Sequence, residues 1–125
     1  MNSAVFGELI FNTGWKTKTS LTIYGCSFEV TVKAKAYFEQ DGITKEQETA
    51  FSDFSNKKIE HLKVIEKLLD EFSNGNTSER FVPRTLLFQR DGSYALLLDD
   101  REDEDNGVVV CLSPKSEVLL QDDYL

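Results

Sequence analysis

The sequence predicts an α+β domain: a largely antiparallel sheet of about seven strands, with a central helical segment of one or two helices packed on one face. Apolar residues alternate with period two in the first and last thirds of the chain and recur at helical spacing between them. The order strands, helices, strands keeps the two kinds of element apart along the chain, which favours an α+β arrangement over alternating βα units. At 125 residues one core is expected, and residues 1–125 read as a single domain.

The first strand candidate is VFGELIF, residues 5–11, followed by the polar link NTGWKTKT. Leu21 and Ile23 in SLTIYG continue the alternating rhythm, and Tyr24-Gly25-Cys26 supplies a turn into the next strand, so the two segments read as a hairpin. Over residues 28–39 the alternation is strict. Phe28, Val30, Val32, Ala34, Ala36 and Phe38 share one face, and Glu29, Thr31, Lys33, Lys35, Tyr37 and Glu39 the other.

The period changes after Asp41-Gly42. Thr44 with Gln47 three residues on is a capping box: the hydroxyl accepts a free helix N–H and the amide reaches back to the cap. Ala50, Phe51, Phe54, Leu62, Ile65, Leu69 and Phe72 then form the inner stripe, with Lys57, Glu60, Lys63 and Glu66 outside. Ser55-Asn56 can divide the segment, since both residues favour caps, and Asn74-Gly75 ends it. After Pro83, TLLFQ and SYALLLD flank Arg90-Asp91-Gly92, a hairpin signal, and GVVVCL and EVLL flank Ser113-Pro114-Lys115-Ser116 in the same way.

Composition narrows the function classes. With 40% hydrophobic residues the chain can build a core despite 29% charged ones. MNSAVFGELIF lacks the basic start and long apolar centre of a secretory leader, and no apolar run approaches the ~20 residues of a membrane span, so the expected location is the cytoplasm. Cys26 and Cys111 lie in apolar strand-like contexts and are expected to be reduced and buried. Residues 1–98 hold 13 acidic and 12 basic side chains, net −1, whereas residues 99–125 hold 9 and 2, net −7. A field this negative repels phosphates and anionic membrane surfaces, so neither nucleic acid nor membrane is an expected partner.

Motifs for catalysis are absent. His61 is the only histidine and lies beside the apolar stripe, one turn before Ile65, where a partly buried structural role is expected. Neither cysteine has a local sequence that would lower its pKa. One histidine and two distant cysteines do not make a zinc cage. An EF-hand loop started at Asp99 or Asp100 would place Glu104 or Asp105 where glycine belongs. No GxGxxG, P-loop or GxSxG occurs, no cofactor is implied, and the chain reads as a binding protein rather than an enzyme.

The strongest feature is DDREDED, residues 99–105: six carboxylates broken only by Arg101, directly before an apolar strand. Like charges this close oppose compaction, so either the run is a solvated loop or a cation meets it. Glu117, Asp122, Asp123 and the terminal carboxylate of Leu125 extend the same sign. If the last two strands pair, the loop and the chain end form one acidic patch. The candidate partner-binding set is therefore Asp99, Asp100, Glu102, Asp103, Glu104 and Asp105, with Asp122 and Asp123 as a second contribution and Tyr124 as an aromatic anchor. The same loop leaves open a calcium-responsive binding module or a small structural interaction protein.

FGELIF…W, ITKEQETAFSDF, PRTLLFQRDGSYALLLDD, EDNGVVV and the closing QDDYL together resemble a family of small acidic bacterial immunity proteins from contact-dependent growth inhibition and related polymorphic-toxin systems. The resemblance spans nearly the whole chain. It implies an antitoxin that binds and occludes a cognate basic toxin domain acting in the cytoplasm, commonly a nuclease, with the acidic loop as a phosphate mimic. One departure stands at Glu104-Asp105-Asn106-Gly107, where the family carries Asp/Glu-Glu-His-Gly; Asn106 leaves no ionisable imidazole there.

Overall fold

The computed structural model describes residues 1–77 and 79–124. Among the described residues nine strands and three α-helices follow in order: β1 (Asn2–Ser3), β2 (Gly7–Glu8), β3 (Ile10–Phe11), β4 (Trp15–Ile23), β5 (Cys26–Ala34), α1 (Lys45–Asn56), α2 (Lys58–Ser73), β6 (Phe81–Phe88), β7 (Tyr94–Asp100), β8 (Val108–Ser113), β9 (Glu117–Leu120) and α3 (Gln121–Tyr124). The fold is α+β. Strands β3 to β9 form a seven-stranded sheet in sequence order, and β1 pairs with β2 separately. No helix among the described residues is long and apolar enough to cross a membrane.

Every neighbouring pair in the large sheet is antiparallel except β5 and β6, where Thr31–Ala34 run parallel to Thr85–Phe88. A parallel pair needs a long crossover, and α1 and α2 provide it. This seam also accommodates Pro83 inside β6: the parallel pairing begins only at Thr85, so the missing N–H faces no β5 partner, and a register shift lies between Pro83 and Thr85.

Local chemistry sets the element ends. Tyr24 and Gly25 form a two-residue turn with φ of 52° and 76°, the positive values that a type I′ hairpin requires, and Cys26 already belongs to β5. Thr44 Oγ1 accepts the Gln47 N–H and Gln47 Oε1 accepts the Thr44 N–H, closing the expected capping box. The helices divide at Lys57, one residue after Ser55-Asn56, and Asn74 ends α2 in the left-handed conformation.

Several extents differ from expectation. VFGELIF is broken into β2 and β3 around the buried Leu9. The long alternating strand stops at Ala34 because Ala34 pairs with the first residue of β4 on one side and the last of β6 on the other. The chain then leaves the sheet, and Phe38 is 62% exposed. The β3–β4 edge also ends early, leaving Thr17–Ile23 of β4 without an outer partner strand; Lys58 Nζ donates to the Ser20 carbonyl at 2.8 Å on that edge.

Helices α1 and α2 cover one sheet face. Phe54, Ile65 and Leu69 join Leu21, Val30, Val32, Leu86, Phe88, Leu96, Leu98, Val108 and Val110 in the main core. Within it Phe6 stacks on Phe51 at 4.6 Å, and both rings meet Phe88 edge-on. Phe72, at the end of the stripe, stays 40% exposed against the edge of Phe81. The opposite sheet face carries a smaller cluster of Ala95, Val109 and Cys111, with Leu97, Leu119 and Tyr124 packed on it. Cys26 is exposed, contrary to the expectation of burial: it is the first residue of β5 after the turn and lines an open cleft with Gly75, Thr77 and Glu79; Cys111 is buried.

Candidate functional site

Strand alternation decides what each acidic residue can do. In β7 the side chains of Leu96, Leu98 and Asp100 are buried and Asp99 points away. Asp100 is only 4% exposed, so it requires a cation within reach. Arg80 supplies it: Nε donates to Oδ1 at 2.8 Å and Nη2 to Oδ2 at 3.0 Å, a fork against both carboxylate oxygens. The guanidinium also lies 4.9 Å from the Phe81 ring centroid, a cation–π contact. The hydrogen bond from Arg80 holds the Asp100 carboxyl below the usual range, and the same bond pushes Arg80 up.

The loop beyond β7 is folded onto the segment before β6. The Arg101 N–H donates to the Arg80 carbonyl at 2.9 Å, and its Nη1 to the Glu79 carbonyl at 2.8 Å. Glu102 donates its N–H to Asp100 Oδ1, while its carboxylate accepts from Asn76 Nδ2 at 2.7 Å and lies 3.1 Å from Arg80 Nε. Asp103 N–H reaches the Asp100 carbonyl and Asn106 N–H the Asp103 carbonyl, two short turns that hold the loop's path. On the other sheet face, Asp99 pairs with the exposed Arg84 at 2.7 Å.

Of the expected contact set, Asp100 is thus an internal structural carboxylate and not a surface contact, because the strand period turns it inward. Asp99 and Glu102 are half-exposed but already engaged. Asp103, Glu104 and Asp105 are exposed and take no ion-pair partner among the described residues.

The chain end does come to this loop. The Gln121 N–H donates to the Gly107 carbonyl at 3.0 Å and its Nε2 to the Leu98 carbonyl at 3.0 Å, and its amide fills the space that a side chain at Gly107 would need. Asp122 and Asp123 follow at once and are exposed. Tyr124 is not a free anchor: α3 folds it back over the second sheet face, where it is half-buried and its hydroxyl accepts from Gln89 Nε2 at 3.3 Å. Burial raises its pKa. The Leu125 carboxylate lies outside the described residues.

Beside the loop, Val82, Arg84, Asp99, Asp100, Arg101, Glu104 and Gly107 line a cleft of about 290 Å³ that mixes cations with carboxylates, Arg84 and Asp99 being paired with each other. Among the described residues no three His, Cys, Asp or Glu side chains are grouped to hold a metal ion. His61 is half-buried, stacked on Phe54 and 3.0 Å from the Tyr94 hydroxyl; burial lowers its pKa, and burial pushes Tyr94 up to about 12. Arg80 and Asn76 were not among the sequence candidates. The hairpin around Asp91-Gly92 points to Arg80 only to within one residue, since its register continued from the turn puts residues 80–82 opposite 100–102 and the shift between Pro83 and Thr85 moves them opposite 99–101.

No family model, curated protein or solved structure matches this chain.

Proposed function

We propose that this protein is an immunity-type inhibitor. It binds a basic toxin domain acting in the cytoplasm, a nuclease being the class that the family resemblance implies, and neutralises it by contact without catalysing a reaction. The observation that carries this reading is the exposed set Asp103, Glu104 and Asp105, on a loop whose path is already held by Arg80, Asn76 and Asp100, together with Asp122 and Asp123 of α3, which Gln121 ties to the end of that loop. A loop ordered before binding loses little conformational freedom when it docks, so more of the charge attraction appears as affinity. A phosphate-gripping cleft is lined by Lys and Arg, and a dense row of carboxylates complements it and speeds encounter.

The test is co-expression with the product of the immediately upstream gene, copurification, and titration at about 50 mM and about 200 mM salt. Wild type is compared with a variant carrying D103N, E104Q, D105N, D122N and D123N, which leaves Asp100 and its arginine intact. Tight binding that weakens at least about tenfold with salt and with the neutralised loop is expected. No binding at low salt, or equal binding by the variant, would overturn the reading.

A further inference from the structure

The summed charge of −8 hides a segregation that the fold creates. On the sheet face turned away from α1 and α2, Lys16 of β4 stands directly opposite Lys33 of β5, and Lys35 follows two residues further on. Like charges facing each other across a strand pair are destabilising. Among the described residues none of these three lysines has an ion-pair partner, whereas nearby Lys18 is taken by Glu29 at 3.1 Å.

Lys33 is seated by the backbone. A Cβ on Gly14, whose φ is +133°, would lie 2.7 Å from Lys33 Cε, so the lysine stem crosses the space left by the missing side chain. Burial, then the charges of Lys16 and Lys35, hold its ammonium below the ordinary lysine range. Folding gains nothing from placing three ammonium groups together. An anion would relieve the repulsion.

The surroundings indicate which anion. Asn12, Lys16, Lys18 and Thr31 line a cleft of about 430 Å³ on one side of the lysines, where Glu8 is the acidic wall residue. Lys35, Tyr37, Gln89, Arg90 and Asp91 line another of about 360 Å³ on the far side, where Asp91 is the acidic wall residue. Tyr37 is 76% exposed with Lys35 Nζ 5.7 Å from its ring centroid, and Phe38 follows it, also exposed. An acidic peptide would use the ammonium groups and leave the aromatic faces idle. Cations interleaved with exposed rings match phosphates and stacked bases.

The acidic loop after β7 does not cancel this patch, and α3, which carries Asp122 and Asp123, packs on the same sheet face with Tyr124 bonded to Gln89. Strand β6 pairs Leu87 with Lys33 and Phe81 with Asp100, so the loop that begins after Asp100 starts six residues along the strand from Lys33, or about 20 Å. That exceeds the screening length of about 8 Å at physiological salt.

We propose that this face binds single-stranded nucleic acid, with phosphates on Lys16, Lys33 and Lys35 and a base stacked on Tyr37. The site is independent of the inhibitor reading and uses none of its residues.

Fluorescence anisotropy of a labelled oligothymidylate of about twelve nucleotides, from about 50 mM salt upward, tests it. Three phosphate contacts at ~0.7 each predict a slope of log K against log salt of about −2. The K16E/K33E variant should bind at least about tenfold more weakly, and Y37A about tenfold more weakly through lost stacking. The K63E/K67E variant makes the same charge change on exposed positions of α2 and should bind as wild type does. Melting curves establish that each variant is folded, and K35E replaces K16E/K33E if that pair is not. The proposal is overturned by no binding at low salt, by unchanged affinity in the lysine variants, by equal loss in K63E/K67E, or by poly-glutamate competing as well as the unlabelled oligonucleotide.

Discussion

A carboxylate with almost no exposed surface persists only beside a cation, and at Asp100 that cation is Arg80, bonded through both oxygens at 2.8 and 3.0 Å. Replacing Arg80 by Met leaves the charge buried and unpaired, which should lower the unfolding free energy by about 3 kcal/mol in urea titration at neutral pH. The pH dependence has a definite sign. The Asp100 carboxyl is held below its ordinary value of 3.8, so its contribution is complete above that value and is lost as pH falls through the lower folded one. Wild type should therefore lose more stability between pH ~5 and pH ~2 than an R80M/D100L variant, which has no such proton to take up. This distinction was legible in part. DDREDED looks uniform, but the alternation of Leu96 and Leu98 already assigns Asp100 to the inner face. The bond from Asn76 to Glu102 was not legible, because it joins residues 26 apart in sequence with no periodic relation between them.

At the scale of elements, Gln47 does more than close the cap of α1. It is fully buried, and its Nε2 donates to the Lys35 carbonyl at 3.0 Å and to the Phe88 carbonyl at 3.1 Å, just where the parallel seam between β5 and β6 ends. One side chain thus joins the helix start to two strand ends. Gln47→Leu keeps the volume but leaves the Thr44 N–H without its partner and takes one of two hydrogen bonds from each carbonyl, Lys35 keeping Arg90 Nη1 and Phe88 keeping the Lys35 N–H, so a loss of about 1–3 kcal/mol is expected by chemical denaturation. Thr44→Ala, which removes the other half of the box, should cost about 1 kcal/mol. Helix limits were readable from caps because capping is local: Thr44, Asn74-Gly75 and the break beside Ser55-Asn56 each act within a few residues. Strand limits were not, because a strand ends where its neighbours end. The alternation over residues 28–39 continues past Ala34, but neither β4 nor β6 extends to meet it.

For the molecule as a whole, two unequal layers enclose the sheet: two long helices on one face and the single turn of α3 on the other. The α+β class and a large sheet of seven strands followed from the change of hydrophobic period, whereas the separate β1–β2 pair, the layer made by α3 and the parallel pair did not, since periodicity says which face a residue takes and nothing of its neighbour's direction. The thin second layer is testable through the thiols. A soluble aromatic disulfide should modify exposed Cys26 rapidly and leave Cys111 untouched until unfolding, burial having raised the Cys111 pKa as well. Tyr124→Ala removes the ring packed over that cluster and should make Cys111 react in the folded protein. The seam has a kinetic consequence. Hairpins on either side of it join near neighbours in the chain, but Thr31 meets Thr85 only after the 53 residues between them have been drawn into a closed loop. The two antiparallel halves can therefore assemble quickly and separately, and the rate of reaching the complete sheet is governed by four residue pairs at its middle.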